Sequence, residues 1–131
     1  MDAKEQEQSK AFVDKAVKWI DDKQGINTKV IDVKDHSILA DYLIITGGSS
    51  ERQVAAIADN IEYEAKKIDM IPKGIEGERG ARWILLDYYD VIIHVFHEKE
   101  REFYDLERLL KDSRSESSDD ENKNLTPYPS V

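Results

Sequence analysis

Two apolar segments in the second half of the chain are separated by only two residues. WILLDY occupies positions 83–88 and VIIHVF occupies positions 91–96, and both are rich in residues that favour β-strands. Only Tyr89 and Asp90 lie between them, and so short a connection predicts an antiparallel hairpin with a tight turn. The fold must therefore contain one antiparallel strand pair formed by segments that are adjacent in sequence.

The chain before this hairpin alternates between helical and strand patterns. In the clearest segment, apolar residues recur at helical spacing from Val54 onward, and Pro72 is expected to stop that helix. Gly25 is expected to end the first helix, and residues 72–82 are interpreted as a glycine-containing loop. The predicted elements are helices over residues 4–23, 51–69 and 99–112 and strands over residues 28–33, 41–46, 83–88 and 91–96.

The predicted element order is α-β-β-α-β-β-α. Strands in pairs with helices between them predict the α/β (α+β) class, with a mixed β-sheet and packed helices. The second strand, the second helix and the third strand are expected to form one right-handed crossover. Residues 113–131 lack periodicity and are predicted to be a disordered acidic and polar tail, which leaves residues 1–112 as the folded domain.

The charge of the chain limits its partners. Its 131 residues carry 28 acidic and 19 basic side chains, a formal net charge of −9 at pH 7. A protein that grips nucleic acid directly needs a positive surface to displace counterions. Direct nucleic-acid binding is therefore not expected, and a basic protein partner fits better.

The composition also restricts chemistry and location. The chain contains no cysteine, which excludes disulfides, thiolate metal sites and cysteine nucleophiles. No apolar run approaches the length of a membrane span, and the polar N-terminus lacks the apolar middle of a secretory signal. The sequence therefore predicts a cytoplasmic protein without a membrane partner.

The stretch ITGGSSERQV, residues 45–54, joins a predicted strand to a predicted helix and raises the question of a phosphate site. It lacks the lysine of a P-loop and the three spaced glycines of a dinucleotide fingerprint. Ser50 followed by Gln53 is instead typical of a capping box, in which each side chain satisfies the other residue's backbone N–H. Gly47 and Gly48 are expected to allow the bend from strand to helix.

A nucleotidyltransferase would combine such a turn with metal-binding carboxylates at alternate positions of a following strand. Asp87 and Asp90 are three residues apart and flank the hairpin turn, where aspartate accepts from backbone N–H groups. No catalytic residue, metal site or cofactor is therefore predicted. His94 interrupts an apolar strand and is predicted to be a hydrogen-bonded core or half-buried histidine.

Three motifs together resemble the ribosomal silencing factor family, also called RsfS or Iojap-related proteins. They are ADYLIITGGSSERQVAAIADNI, EGERGARWILLDYYDVIIHVF and REFYDLERLLKD, and the resemblance covers roughly residues 5–112 in the family's order. The chain departs from the family pattern at several positions. The family often has glycine where Tyr89 stands and tryptophan where Leu110 stands.

The resemblance implies a nucleotidyltransferase-like fold without catalytic carboxylates, and a role in binding rather than catalysis. It also implies attachment to the large ribosomal subunit through its fourteenth protein, a block on subunit joining and lower translation when nutrients are short. The acidic charge fits a basic ribosomal protein as the partner. A homodimer stays open, as does the alternative of a nucleotide- or small-ligand-binding enzyme on such a fold.

The segment that carries the resemblance also suggests which residues contact the partner. An aromatic and an aliphatic anchor beside a carboxylate suit a β-surface that meets a basic partner, with Glu76 and Asp90 at its rim. The predicted partner-binding residues are Glu76, Trp83, Leu85, Asp87, Tyr88 and Asp90.

Strand phase decides between two versions of this surface. If the strand is regular, Trp83 and every second residue after it share one face. If the phase differs by one residue, Trp83 faces the helices, and Ile84, Leu86 and Tyr88 face the partner.

Overall fold

The computed structural model describes residues 3–77 and 80–100, with side chains described from Glu7 onward. Residues 98–100 are helical, and the rest of the predicted last helix and the predicted tail lie outside the described residues. Neither of the two long helices in these ranges is long and apolar enough to cross a membrane. The elements are α1 (Ala3–Asp21), β1 (Ile26–Asp32), β2 (Tyr42–Gly48), α2 (Glu51–Lys67), β3 (Gly74–Glu76), β4 (Trp83–Asp87) and β5 (Val91–His97).

Within residues 3–77 and 80–100, five strands form one mixed sheet in the order β1-β2-β5-β4-β3. β2 and β5 run parallel, and the other neighbouring pairs are antiparallel. This confirms the predicted α/β class and the mixed sheet. The predicted crossover is wrong in its final strand. β4 is antiparallel to β5 and therefore also to β2. The buried strand β5, and not β4, is the parallel neighbour of β2.

The predicted loop over residues 72–82 contains the short edge strand β3. It pairs with β4 so that Gly74 lies opposite Asp87 and Glu76 lies opposite Leu85. The loop prediction is wrong at these positions because three residues are too few to show a strand period. Their pairing depends on β4, which begins after residues 77–82, and the three residues carry no pattern of their own that predicts it.

Gly25 does not end the first helix in the predicted way. α1 ends at Asp21, and Gln24 takes the left-handed backbone conformation at φ 62°. The N–H of Gly25 donates to the carbonyl of Ile20 at 3.0 Å, the longer hydrogen bond of a Schellman motif. Gly25 is needed for space instead, because a Cβ there would overlap the side chains of Ile20 and Thr46.

The second helix stops before the chain reaches Pro72. α2 ends at Lys67, two residues earlier than predicted, and Asp69 takes the left-handed conformation at φ 62°. The N–H of Met70 donates to the carbonyl of Ala65 at 2.9 Å. A second Schellman motif therefore terminates α2, and proline is not the cause.

The sheet separates two apolar clusters. On one side, α1 and α2 pack against alternate strand residues that include Ile84 and Leu86. On the opposite side, Leu85, Ile92 and Phe96 belong to a second cluster with residues of β1, β2 and the connection between them. β2 is buried along its whole length, as expected for a strand with a continuous apolar sequence.

Candidate partner-binding surface

Gly47 and Gly48 lie inside β2 rather than in a bend after it. β2 runs to Gly48, and neither glycine has a positive φ. A Cβ on Gly48 would lie 2.9 Å from the backbone nitrogen of Val54, so this glycine lets the strand and α2 approach closely. The expectation that the two glycines form the bend is wrong, because the chain turns at Ser49 and Ser50.

Ser50 caps α2 as predicted, whereas Gln53 makes different contacts from those of a capping box. Oγ of Ser50 accepts from the N–H of Gln53 at 3.1 Å. Oε1 of Gln53 accepts from the N–H and the hydroxyl of Ser49, at 2.7 and 2.8 Å, and not from the N–H of Ser50. Its Nε2 donates to the carbonyl of Gln24 at 2.9 Å. The turn thus ties the start of α2 to the end of α1.

The charged residue next to this turn is engaged in an ion pair. Glu51 pairs with Arg82 at 3.2 Å, and Arg82 also pairs with Glu100 at 2.9 Å. Residues 3–77 and 80–100 contain no group of three or more histidines or carboxylates that could hold a metal ion. The geometry of the turn is that of a helix cap and a contact between elements.

The hairpin turn is held by Asp87 and carries Tyr89 at its tip. Asp87 lies opposite Ile92, and the N–H of Tyr88 donates to the carbonyl of Val91 at 2.9 Å, which confirms the predicted hairpin. Oδ1 of Asp87 accepts from the N–H of Tyr89 at 2.8 Å, as predicted for aspartate in a turn. Tyr89 has φ 71° and is 58% exposed.

Asp90 supports the turn through its main chain. Its carbonyl accepts from the N–H groups of Asp41 and Tyr42, at 2.7 and 3.1 Å. This contact anchors the hairpin to the start of β2. The carboxylate of Asp90 remains exposed.

The phase of β4 is the first of the two predicted versions. Trp83 and Leu85 pack on the sheet face that points away from α1 and α2. Ile84, Leu86 and Tyr88 belong to the cluster on the helix side. The alternative phase, in which these three residues face a partner, is therefore wrong.

Two of the six predicted partner-binding residues are buried. Leu85 is 5% exposed and Tyr88 is 3% exposed, and the Tyr88 ring packs 5.0 Å from that of Phe12. They therefore do not line an accessible surface. The prediction is wrong for these two residues because alternation along a strand indicates which face a residue is on and not how deeply it is buried. Glu76, Trp83 and Asp87 are half-buried and Asp90 is exposed, so these four stay in the predicted surface.

Trp83 is held in place by two neighbours on β5. Its Nε1–H donates to Nδ1 of His94 at 3.1 Å, and its ring centroid lies 4.3 Å from that of Phe96. His94 is fully buried, and this burial lowers the pKa of His94 to about 3, so the imidazole is neutral. The prediction of a hydrogen-bonded core histidine is confirmed. Trp83 therefore presents a fixed ring edge to its surroundings.

We call Glu76, Trp83 and Asp87 the β3–β4 surface. Glu76 lies opposite Leu85, on the same face as Trp83, because directly paired residues of antiparallel strands share a face. Asp87 lies opposite Gly74, which has no side chain to cover it. The surface combines one rigid aromatic residue with two carboxylates.

Tyr89 was missed by reasoning from the sequence. The only signal was indirect: a two-residue hairpin turn needs at least one residue with positive φ, and neither Tyr89 nor Asp90 is glycine. The contacts of Gln53 were also missed, because they join segments about thirty residues apart.

The fold and this surface define an α/β protein with a mixed sheet and an acidic, aromatic surface along one of its edges. The family model described as "Ribosomal silencing factor during starvation" matches residues 6–129. The chain therefore belongs to the ribosomal silencing factor family, which confirms the resemblance seen in its motifs.

Individual relatives agree with this assignment. The chain is 42% identical over 93 residues to ribosomal silencing factor RsfS of Bacillus subtilis, covering 71% of this chain and 79% of that protein. It is 41% identical over 98 residues to RsfS of Halalkalibacterium halodurans, covering 75% and 84%. A crystal structure of a protein from Chromobacterium violaceum superposes with a TM-score of 0.75 at 29% identity, covering 77% of this chain and 84% of that one.

Proposed function

We propose that this protein binds the large ribosomal subunit through its fourteenth protein, blocks subunit joining and represses translation under nutrient limitation. Family membership carries the proposal, because the matching family is described as a ribosomal silencing factor during starvation and spans nearly the whole chain. The proposed action is binding without catalysis, in the cytoplasm.

The charge of the chain supports a basic protein as the direct contact. The net charge of the chain is −9. Residues 113–131 contain four acidic and two basic residues and therefore contribute −2 to this charge. The remaining −7 belongs to residues 1–112. Such a domain is attracted to a basic ribosomal protein and repelled by exposed RNA, and this difference would direct the encounter toward the protein.

The β3–β4 surface supplies the means of contact. Aromatic residues in fixed orientations anchor many interfaces, because little side-chain entropy is lost when they are covered. Trp83 meets this description through its hydrogen bond to His94 and its packing on Phe96. Glu76 and Asp87 place carboxylates on the same face, where they can meet basic side chains.

The turn at Ser49 and Ser50 supports binding over catalysis. Its polar groups are used inside the fold, since Gln53 joins Ser49 to the carbonyl of Gln24. Glu51, the carboxylate beside the turn, is paired with Arg82. Incubation with labelled nucleoside triphosphates and magnesium tests this part of the proposal. Metal-dependent turnover that is lost in Ser49→Ala would overturn it.

The central experiment is a pull-down of purified large subunits, prepared with and without their fourteenth protein. The parent protein should capture complete subunits and fail to capture those that lack this protein. Equal capture of both preparations would exclude the fourteenth protein as the attachment point.

A charge-matched pair of variants tests the surface itself. Glu76→Gln with Asp87→Asn removes two carboxylates from the β3–β4 surface, and the amide oxygen introduced by Asp87→Asn can still accept from the turn N–H. Asp59→Asn with Glu62→Gln removes two exposed carboxylates from α2. The first double variant should slow association, with a loss that shrinks as salt rises. If the α2 pair has the same effect, only net charge matters and the β3–β4 surface is not the contact.

A further inference from the structure

Tyr89 occupies a backbone conformation that its own side chain disfavours. Its φ of 71° lies in the left-handed region, where a Cβ approaches the neighbouring carbonyl and which glycine adopts without strain. In the hydrogen bond to Oδ1 of Asp87, Tyr89 uses only its main-chain N–H, so glycine at this position would form it equally well. The requirements of the turn therefore do not explain a tyrosine here.

The Tyr89 ring also contributes little to the packing of the fold. The residue is 58% exposed. Within residues 3–77 and 80–100, its side chain takes part in no hydrogen bond, ion pair or ring contact. Its neighbour Tyr88 is the opposite case, since it is 3% exposed and packs against Phe12. A strained and exposed aromatic residue is explained best by a contact outside the chain.

Two carboxylates flank this ring in sequence and set the kind of contact it suits. Asp87 is fixed by its hydrogen bond to the Tyr89 N–H, and Asp90 is exposed. Neither carboxylate forms an ion pair within the described ranges. An aromatic face beside carboxylates attracts a cation, and a planar guanidinium can both stack on the ring and pair with a carboxylate.

We propose that Tyr89 contacts the partner directly and receives an arginine side chain of a basic protein surface, with Asp87 or Asp90 as the counter-charge. This inference rests on the proposed function and extends the β3–β4 surface to the tip of the hairpin. It predicts that the residue lowers the stability of the free protein and raises its affinity for the partner.

The test measures thermal unfolding and the kinetics of binding to large subunits for the same set of variants. Tyr89→Gly should leave the melting temperature unchanged or raise it, because strain is relieved, and should weaken binding about tenfold. Tyr89→Phe keeps the ring and should bind within about twofold of the parent. Tyr63→Ala removes a tyrosine that is 62% exposed on α2, and it should bind like the parent.

The possible results separate this inference from the function on which it rests. If the parent does not bind large subunits, both are overturned. If the parent binds and Tyr89→Gly binds equally well, the contact by Tyr89 is overturned and the proposed function stands. If Tyr89→Gly lowers the melting temperature and weakens binding together, Tyr89 acts through the fold and the inference is again overturned.

Discussion

The indole N–H of Trp83 donates a hydrogen bond to Nδ1 of His94 at 3.1 Å, across two neighbouring strands. The bond requires Nδ1 to be the unprotonated nitrogen, so the proton of the neutral ring is on Nε2. His94 is fully buried, and its burial lowers its pKa to about 3. The orientation of a half-buried tryptophan on the proposed docking surface thus depends on a neutral histidine beneath it.

This arrangement predicts that the protein loses stability as the pH falls through the mildly acidic range. Between the unfolded pKa of about 6.5 and the folded pKa of about 3, the unfolded state binds a proton that the folded state excludes. The contribution of His94 to the free energy of unfolding is therefore fully present above pH 6.5. It falls by up to about 1.4 kcal/mol per pH unit below it, or about 2 kcal/mol at pH 5. Urea unfolding at pH 7 and pH 5 measures this loss.

Two variants assign that loss to a particular histidine. His94→Gln replaces the imidazole with a side chain that does not titrate, and its stability difference between pH 7 and pH 5 should be smaller than that of the parent. His36→Gln removes an exposed histidine and should leave the parent's difference intact. An unchanged pH dependence in His94→Gln would mean that His94 is not the buried neutral group responsible.

Local patterns in the sequence were sufficient for the hairpin and the helices. Only two residues separate the apolar segments of β4 and β5, and so short a connection can join only antiparallel strands, which allowed their pairing to be predicted. The helical spacing from Val54 onward is local in the same sense. The ends of the helices were predicted less accurately, because Gln24 and Asp69 adopt left-handed conformations there. Gly25 was expected to end the first helix, and Pro72 was expected to stop the second.

Pairing between distant segments could not be derived in this way. β2 pairs with β5 across more than forty residues of sequence. The short strand β3 was missed for a different reason: it lies close to β4 in sequence, but its three residues are too few to show a strand period. The candidate surface shows the same limit. Alternation placed Trp83 and Leu85 on one face, but the burial of Leu85 depends on the apolar cluster that residues from distant parts of the chain form on that face.

The contacts of Gln53 predict that it contributes more to stability than an ordinary exposed helix residue. Gln53→Ala removes hydrogen bonds to Ser49 and to the end of α1, and it should cost about 1–2 kcal/mol. Ser50→Ala should cost about 0.5–2 kcal/mol through loss of the helix cap. Arg52→Ala, at an exposed position between them, serves as the control and should change stability by less than about 0.5 kcal/mol. Denaturant unfolding compares the three, and equal losses for Gln53→Ala and Arg52→Ala would contradict a specific role for Gln53.

Two glycines at different depths should respond oppositely to the same substitution. Gly48→Ala places a Cβ 2.9 Å from the backbone nitrogen of Val54, so strand and helix must separate, and the cost should be about 1–3 kcal/mol. Gly74→Ala places a Cβ in open space within β3 and should be neutral or stabilising by up to about 1 kcal/mol. Melting temperatures of the two variants give the comparison directly. A harmless Gly48→Ala would show that β2 and α2 are not as closely packed as this geometry requires.

Trp83 should contribute both to the stability of the fold and to binding, and a matched variant separates the two. Trp83→Ala removes the packing on Phe96 and the hydrogen bond to His94, so it should lower the free energy of unfolding by about 2–4 kcal/mol. At low temperature, where the variant remains folded, binding to large subunits should weaken by at least about 2 kcal/mol, mainly through faster dissociation. Leu85→Ala lies on the same face but is 5% exposed, so it should cost a similar amount of stability while binding stays close to that of the parent. Equal loss of binding in both variants would mean that affinity follows stability alone, and Trp83 would then not be an anchor.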